Sequence, residues 1–407
     1  MKPKTRLLAI ALFLLYFSTG AMAQTTWDSI GITVAGGNGN GIDNSQLENP
    51  EGIFVDANGN IYVADQDNSR VQKWAPGASS GTTVAGGNGA GSNANQLSFP
   101  TSVFVDSLGN VFVGDDGNFR VQKWAPGADS GITIAGGNGY GSNANQLSGV
   151  QGVFVDKSEN IFVVDWANNR VQKWPKGASI GTTVANHLQR PAGIFIDKLG
   201  DIYISDLMSD WVQKWVPGAS SGTTVAGGQS GGNAYQLNGP CGIFVDSSEN
   251  LFIVDAANYR VQEWVDGASS GTTIIQCAYG RNATSFWDPT FMWLDKNFNV
   301  YVSDQGNNRV QEFKAITKSG ISPITVNSYF DIYPNPTSGV FNLKFKNQDF
   351  ANDKISITIF DAEGKMLAPM SIGAASTEID MSGKPKGLYF VRVIAGGNGY
   401  IEKVAVQ

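Results

Sequence analysis

Aspartate stands at two fixed places in each of six similar segments spaced about 50 residues apart. The first set is Asp56, Asp106, Asp156, Asp197, Asp246 and Asp295; the second is Asp65, Asp115, Asp165, Asp206, Asp255 and Asp304. A ring of such carboxylates could hold a metal. In five segments, however, the second aspartate is answered by an arginine across four intervening residues: Asp65 with Arg70, Asp115 with Arg120, Asp165 with Arg170, Asp255 with Arg260 and Asp304 with Arg309. That spacing sets the two charges opposite each other at the neck of a hairpin, where they attract by roughly 0.2–1 kcal/mol. Repetition in nearly every segment favours a structural clamp over a metal ring. The first-set aspartates precede tight turns such as Asn58-Gly59-Asn60 and are read as turn residues.

Individual chemistry is expected where the repeat fails, and the fourth segment fails most. The interval between Asp156 and Asp197 drops from 50 residues to 41, because the loop seen as Gly136 to Leu147 shrinks to Asn186-His187-Leu188-Gln189-Arg190. Asp206 meets Trp211 in place of an arginine, and His187 is the chain's one histidine. Trp166 occupies a position held elsewhere by Gln66, Asp116, Leu207, Ala256 or Gln305. The last inter-segment loop also departs, running from Cys277 through Arg281 to Trp287. Aromatic planes beside a carboxylate and a guanidinium suit a sugar or peptide ligand. The candidate ligand-binding set is therefore Trp166, His187, Arg190, Asp206, Trp211, Arg281 and Trp287, with repeat drift and compensating packing as the rival explanation. No catalytic residue, metal ligand or cofactor is assigned.

Four short apolar runs in each segment must position these groups. In the first they are Ile53-Phe54-Val55, Ile61-Tyr62-Val63-Ala64, Val71-Gln72-Lys73-Trp74 and Thr82-Thr83-Val84-Ala85. β-Branched and aromatic residues between Asn, Gly, Asp, Pro and Ser clusters predict strands, and the short separators allow only antiparallel neighbours. The first two runs are apolar on both faces, so each sheet needs cover on both sides. Sheets stacked around an axis supply it: the expected fold is an all-β, six-bladed propeller with four-stranded blades. The sixth segment lacks a fourth strand, whereas Gly31-Ile32-Thr33-Val34-Ala35-Gly36 precedes the first segment as an orphan. That orphan should pair with Val310 to Phe313 and close the ring. Trp74, Trp124, Trp174, Trp215 and Trp264 share one repeat position and should pack between blades. On this topology the second-to-third-strand turns and the crossovers between blades share a face, which gathers Trp166, His187, Arg190, Asp206 and Trp211.

Runs such as GIFVDANGNIYVADQDNSRVQKW, from Gly52 to Trp74, resemble the NHL repeat, and the resemblance extends over roughly residues 31 to 315. It implies the propeller but no single activity. Similar six-bladed propellers include gluconolactonase-like hydrolases, streptogramin lyases and the peptidylglycine lyase, whose sites resemble metal centres with acidic or several histidine ligands, or a catalytic histidine near a metal; here His187 sits in a shortened loop and forms no such constellation. A single histidine excludes a multi-histidine zinc site. The glycine-rich loops fit neither a phosphate-binding loop nor a calcium nonapeptide, since no Lys-Ser/Thr follows them and the required aspartate is missing.

The ends differ from the middle. Residues 1–23 have a basic start (Lys2, Lys4, Arg6), an apolar run from Leu7 to Phe17 and a closing Ala21-Met22-Ala23, the pattern of a secretory signal peptide cut after Ala23. The propeller is assigned to 24–315 and a linker to 316–329. Residues 330–407 read as a small Ig-like β-sandwich. The Tyr333-Pro334-Asn335-Pro336-Thr337-Ser338-Gly339 opening, Gly387 to Val391 and the Lys403-led ending resemble the C-terminal sorting domain of the type IX secretion system of Bacteroidetes-type bacteria. The resemblance implies partnership with that export machinery, removal of the domain, and release or attachment at the cell surface. No other apolar run is long enough to span a membrane.

The formal charge is −7, and loss of Lys2, Lys4 and Arg6 makes it −10. From Asp331 onward eight basic and eight acidic residues cancel, so the propeller carries the acidity. Nucleic acid, which is bound by neutralising phosphates, is not an expected partner. Cys241 and Cys277 fall at opposite edges of one blade and are expected to be free thiols; two cysteines also cannot build the zinc-bound RING that accompanies some NHL repeats. The expected function is a secreted or surface-held, non-catalytic module that binds an extracellular carbohydrate or protein. A divalent-metal lactonase or lyase and a structural matrix component are the alternatives.

Overall fold

A computed structural model describes residues 25–316, 330–345, 355–361, 366–372, 376–395 and 398–407. The expected signal peptide, and the linker beyond Ile316, lie outside the described residues. The chain divides into two compact units, one of them Thr26–Ile316.

Six four-stranded antiparallel sheets make up that unit, and five follow chain order. Blade one comprises Pro50–Val55, Ile61–Asp65, Arg70–Trp74 and Thr82–Gly86. Blades two to five begin at Pro100, Gly152, Pro191 and Pro240 and repeat the pattern. Blade six is composite. Its first three strands are Pro289–Leu294, Val300–Asp304 and Arg309–Phe313, and its fourth is Ile32–Gly36 from the other end of the unit. Ile32 pairs with Glu312, Thr33 with Gln311, Ala35 with Val310 and Gly36 with Arg309. Blade two shows the same register, including the same bulge, between Ile132–Gly136 and Arg120–Trp124. The orphan strand thus closes the ring as a true fourth strand. A second clasp, not foreseen from sequence, sets Thr26 against Ile316 and Trp27 against Ala315, with the buried Trp27 indole donating to the Phe298 carbonyl at 2.7 Å.

Burial follows strand position. The second strand of every blade is buried along its length, as cover on both faces requires. Fourth strands begin exposed and form the outer edge. The repeated tryptophans pack between blades. Trp74 of blade one sits with Val310 and Ala35 of blade six, and Trp124 of blade two with Val71 and Ala85 of blade one.

Along the axis, the first strands contribute Phe54, Phe104, Phe154, Phe195, Phe244 and Trp293. These form a continuous belt, with neighbouring ring centroids 5.2, 5.1, 5.3, 4.9, 5.2 and 4.3 Å apart around the circle. The axis is therefore plugged.

The second unit includes a three-stranded sheet, ordered Phe330–Tyr333, Val340–Phe345, Ser376–Asp380. A four-stranded sheet is ordered Met366–Ile372, Ile355–Phe360, Gly387–Ala395, Asn398–Val406. Phe330, Phe341, Leu343, Ile357, Ile359, Val391 and Val404 share one core. The Tyr333–Gly339 motif and the chain end are joined directly. Asn335 Nδ2 donates to the Lys403 carbonyl at 2.6 Å, Asn335 Oδ1 accepts the Ala405 amide at 3.0 Å, and Gln407 N donates to the Thr337 carbonyl at 2.9 Å.

Candidate functional site

The five aspartate–arginine pairs are ion pairs, with Nε–Oδ2 distances of 2.6–2.7 Å and carboxylates fully shielded from solvent. Their geometry reaches beyond the hairpin. Arg70 sends Nη1 to the Ile42 carbonyl at 2.7 Å and Nη2 to those of Asp43 and Gln46 at 3.1 Å, all in the preceding crossover. Arg120, Arg170 and Arg260 make the same three contacts one repeat on, and Arg309 makes two of them. Each aspartate in turn accepts a crossover amide: Glu48, Ser98, Ser148, Asn238 or Trp287. The pair therefore staples a long loop to its blade. Burial pushes the carboxyls of Asp65, Asp115, Asp255 and Asp304 up, opposed by these amides and by the guanidinium.

Blade four has a short crossover with no such carbonyls to hold, and it has no arginine. Trp211 takes the register place opposite Asp206. Asp206 accepts the Gln189 amide at 2.5 Å and the Ser209 amide at 3.2 Å, and burial again raises its carboxyl. The shortened loop and the missing arginine, two irregularities in sequence, are one structural event.

On the crossover face, the residue one place before the repeat's first glycine forms a ring around the axis: Glu51, Thr101, Gln151, Ala192, Cys241 and Thr290. All but Thr101 line a cavity of about 540 Å³; Thr101 turns its hydroxyl to the Val150 carbonyl. Just below, first strands approach closely at glycine. A Cβ on Gly193 would lie 2.4 Å from the Cys241 carbonyl oxygen. The aromatic belt closes the bottom, so the cavity is blind.

Its walls are aromatic. Trp166, Tyr259, Tyr279 and Trp287 line it together with Arg190 and Asp288. Trp166 lies against Gly149, where a Cβ would fall 2.1 Å from the indole nitrogen, and Trp287 lies against Gly306. The Arg190 guanidinium stands 5.7 Å from the Trp166 ring, and that of Arg281 4.4 Å from the Trp287 ring. Such stacking holds both planes in place.

At the floor, Glu51 is the one carboxyl of its ring. Its oxygens accept Gln66 Nε2 at 2.8 Å and Gln151 Nε2 at 2.7 Å. Burial, aided by the fields of Asp116 and Asp67 and opposed by Gln151, pushes its carboxyl up to about 8. Burial and the Glu51 and Asp288 charges push the Cys241 thiol up to about 12, which leaves it a poor nucleophile. Cys241 and Cys277 are both free.

Of the seven residues nominated from sequence, Trp166, Arg190 and Trp287 line the cavity and Arg281 backs Trp287. His187, Asp206 and Trp211 do not: His187 is exposed at the crossover, and the other two belong to the hairpin neck. Glu51, Gln151, Tyr259 and Tyr279 were missed. Aligning the repeats at the position before the first glycine exposes Glu51 as the lone acid there.

Comparison with known proteins bears on fold and export. Residues 331–407 match the secretion system C-terminal sorting domain, and residues 47–74 match the NHL repeat. No curated protein matches the chain in sequence. Among solved structures, a protein of unknown function from Bacteroides thetaiotaomicron aligns at TM-score 0.57 and 16% identity, over 72% of this chain and 76% of its own. A gluconolactonase from Xanthomonas campestris aligns at 0.52 and 13%, over 73% and 96%. An auxiliary nutrient binding protein from Bacteroides ovatus aligns at 0.52 and 14%, over 72% and 77%. At these identities the likeness is one of fold. The sorting domain marks a type IX substrate, secreted or displayed at the cell surface. Among the described residues no helix is long and apolar enough to cross a membrane.

Proposed function

We propose that the propeller is a non-catalytic binding module whose crossover-face cavity takes a short carbohydrate outside the cell, after residues 1–23 and the sorting domain have been removed. One observation carries the reading: Trp166 and Trp287, each backed by an arginine, wall a blind cavity whose floor presents Glu51 between two amides. Flat apolar faces match the C–H faces of a sugar ring, and a few fixed polar groups set its orientation. A metal-dependent hydrolase of the same fold would want several hard ligands at the axis, whereas the other ring positions are Thr101, Gln151, Ala192, Cys241 and Thr290.

The test is a glycan array probed with the full chain, followed by titration of the best ligand. Trp166→Ala and Trp287→Ala should each weaken binding at least about tenfold without lowering the melting temperature. A bound stoichiometric divalent ion together with lactone or ester hydrolysis would replace this reading with an enzymatic one.

A further inference from the structure

The ring at the floor of the crossover-face cavity is divided into two arcs. Glu51 of blade one and Gln151 of blade three are joined by a hydrogen bond of 2.7 Å, while Thr101 between them turns its hydroxyl away to the Val150 carbonyl. Ala192 and Cys241 follow in blades four and five, and Phe291 of blade six also lines the cavity. The Cys241 thiol donates to the Gly239 carbonyl at 3.5 Å, so it offers a ligand a small, soft surface. One arc is thus polar and the other apolar. We propose that the sugar taken by this cavity carries an acetamido group, its carbonyl oxygen accepting a hydrogen bond from the Glu51 carboxyl and its methyl set against Ala192 and Cys241. The proposal rests on the carbohydrate reading and narrows it.

The direction of that hydrogen bond follows from what surrounds Glu51. The side chain is buried, its two oxygens each accept one amide N–H, from Gln66 and Gln151, and no lysine or arginine pairs with it among the described residues. The neighbouring charges of Asp116 and Asp67 add to the cost of ionising it. A buried carboxyl held by amides, with no cation beside it, keeps its proton and has an O–H to give. The other ionisable groups lining the cavity are Arg190 and Asp288, one of each sign, with Cys241, Tyr259 and Tyr279. A carboxylate on the sugar would meet the same fields of Asp116 and Asp67 that oppose a charge on Glu51. A hydroxyl could accept the bond but would leave the apolar arc unused. An acetamido group brings a neutral carbonyl oxygen and a methyl together, one for each arc.

Isothermal titration of the full chain with two matched pairs tests this: N-acetylglucosamine against glucose, and N-acetylgalactosamine against galactose. In at least one pair the acetamido sugar is expected to bind at least about tenfold more tightly than its hydroxyl counterpart. Its affinity should be about tenfold weaker at about pH 9 than at about pH 6.5, as Glu51 loses the proton it donates. Glu51→Leu should abolish the preference, and Ala192→Val, which fills the place of the methyl, should weaken the acetamido sugar more than its counterpart. Glu51→Gln, which keeps a donor that does not titrate, should level the pH profile, a change that a purely structural role for Glu51 would not produce. Equal binding or no binding in both pairs, a preference that survives Glu51→Leu, or a flat pH profile in the parent would overturn the proposal. Array binding confined to glycans without an acetamido group would overturn it too, yet leave the carbohydrate reading standing; an array with no bound glycan would remove both.

Discussion

Asp206 and Trp211 face each other across the blade-four hairpin in the register where the other blades oppose aspartate to arginine. The Trp211 indole is close enough to oppose, by hydrogen bonding, the rise that burial gives the Asp206 carboxyl. The arginine vanishes together with the crossover carbonyls it would hold, which identifies its role elsewhere: it fastens the loop as much as it neutralises the aspartate.

Arg120→Met should therefore do two things. Asp115 would be left buried without its counter-charge, a loss of about 3–5 kcal/mol in denaturant melts. Hydrogen exchange should also quicken across the crossover from Ser92 to Gln96, whose carbonyls the guanidinium caps. Loss of stability without faster exchange would reduce the pair to a local ion bridge.

Asp201→Asn should stabilise the protein. In the five other blades an asparagine amide reaches the turn aspartate's Oδ2 at 2.7–3.0 Å. Blade four has Asp201 there, paired instead with Lys214 at 2.9 Å, and Asp197 Oδ2 has no hydrogen-bond partner among the described residues. Restoring the amide is worth about 1 kcal/mol, offset in part by the lost Lys214 bridge. A lower melting temperature would show that the bridge outweighs the orphaned oxygen.

Glu51 should make stability depend on pH. Its carboxyl titrates at about 8 in the folded chain, against an ordinary value of 4.5 for an unburied glutamate. The folded form thus holds the proton more tightly, so the contribution is complete below 4.5 and disappears as pH rises through about 8. Between about pH 4.5 and about pH 8 the melting temperature should fall more steeply for the parent than for Glu51→Gln, which should melt higher at the alkaline end. Parallel curves would mean that Glu51 keeps its charge at the cavity floor.

Deleting Thr25–Gly37 should give insoluble or protease-sensitive protein, because the deletion removes the fourth strand of blade six and uncovers Val310 and Phe313, both fully buried in the intact ring. A compact, soluble product with an unchanged melting temperature would mean that three strands suffice there.

The architecture was legible because repetition multiplies weak signals: six copies of two aspartates, and a shared position holding tryptophan in five blades and Phe313 in the sixth, fix strand order and blade number together. Ring closure was legible from a count of fourth strands. The site was only partly so. Trp166, Arg190 and Trp287 stood out as departures from the repeat and do meet at the cavity. Asp206 and Trp211 stood out for a packing reason, the missing loop, which sequence cannot distinguish from a functional one. Glu51 went unnoticed because it lies inside a regular strand, where side-chain direction is set by the radial arrangement of six sheets. Tyr259 and Tyr279 were hidden for a similar reason: they reach the cavity from separate loops joined only in three dimensions.

The double clasp, Ile32–Gly36 on Arg309–Phe313 and Thr26–Trp27 on Ala315–Ile316, has a consequence for maturation. Among the described residues both clasps lie at or before Ile316, so a cut in the chain anywhere downstream would leave each of them whole. Were the address label shed, the parcel would stay sealed.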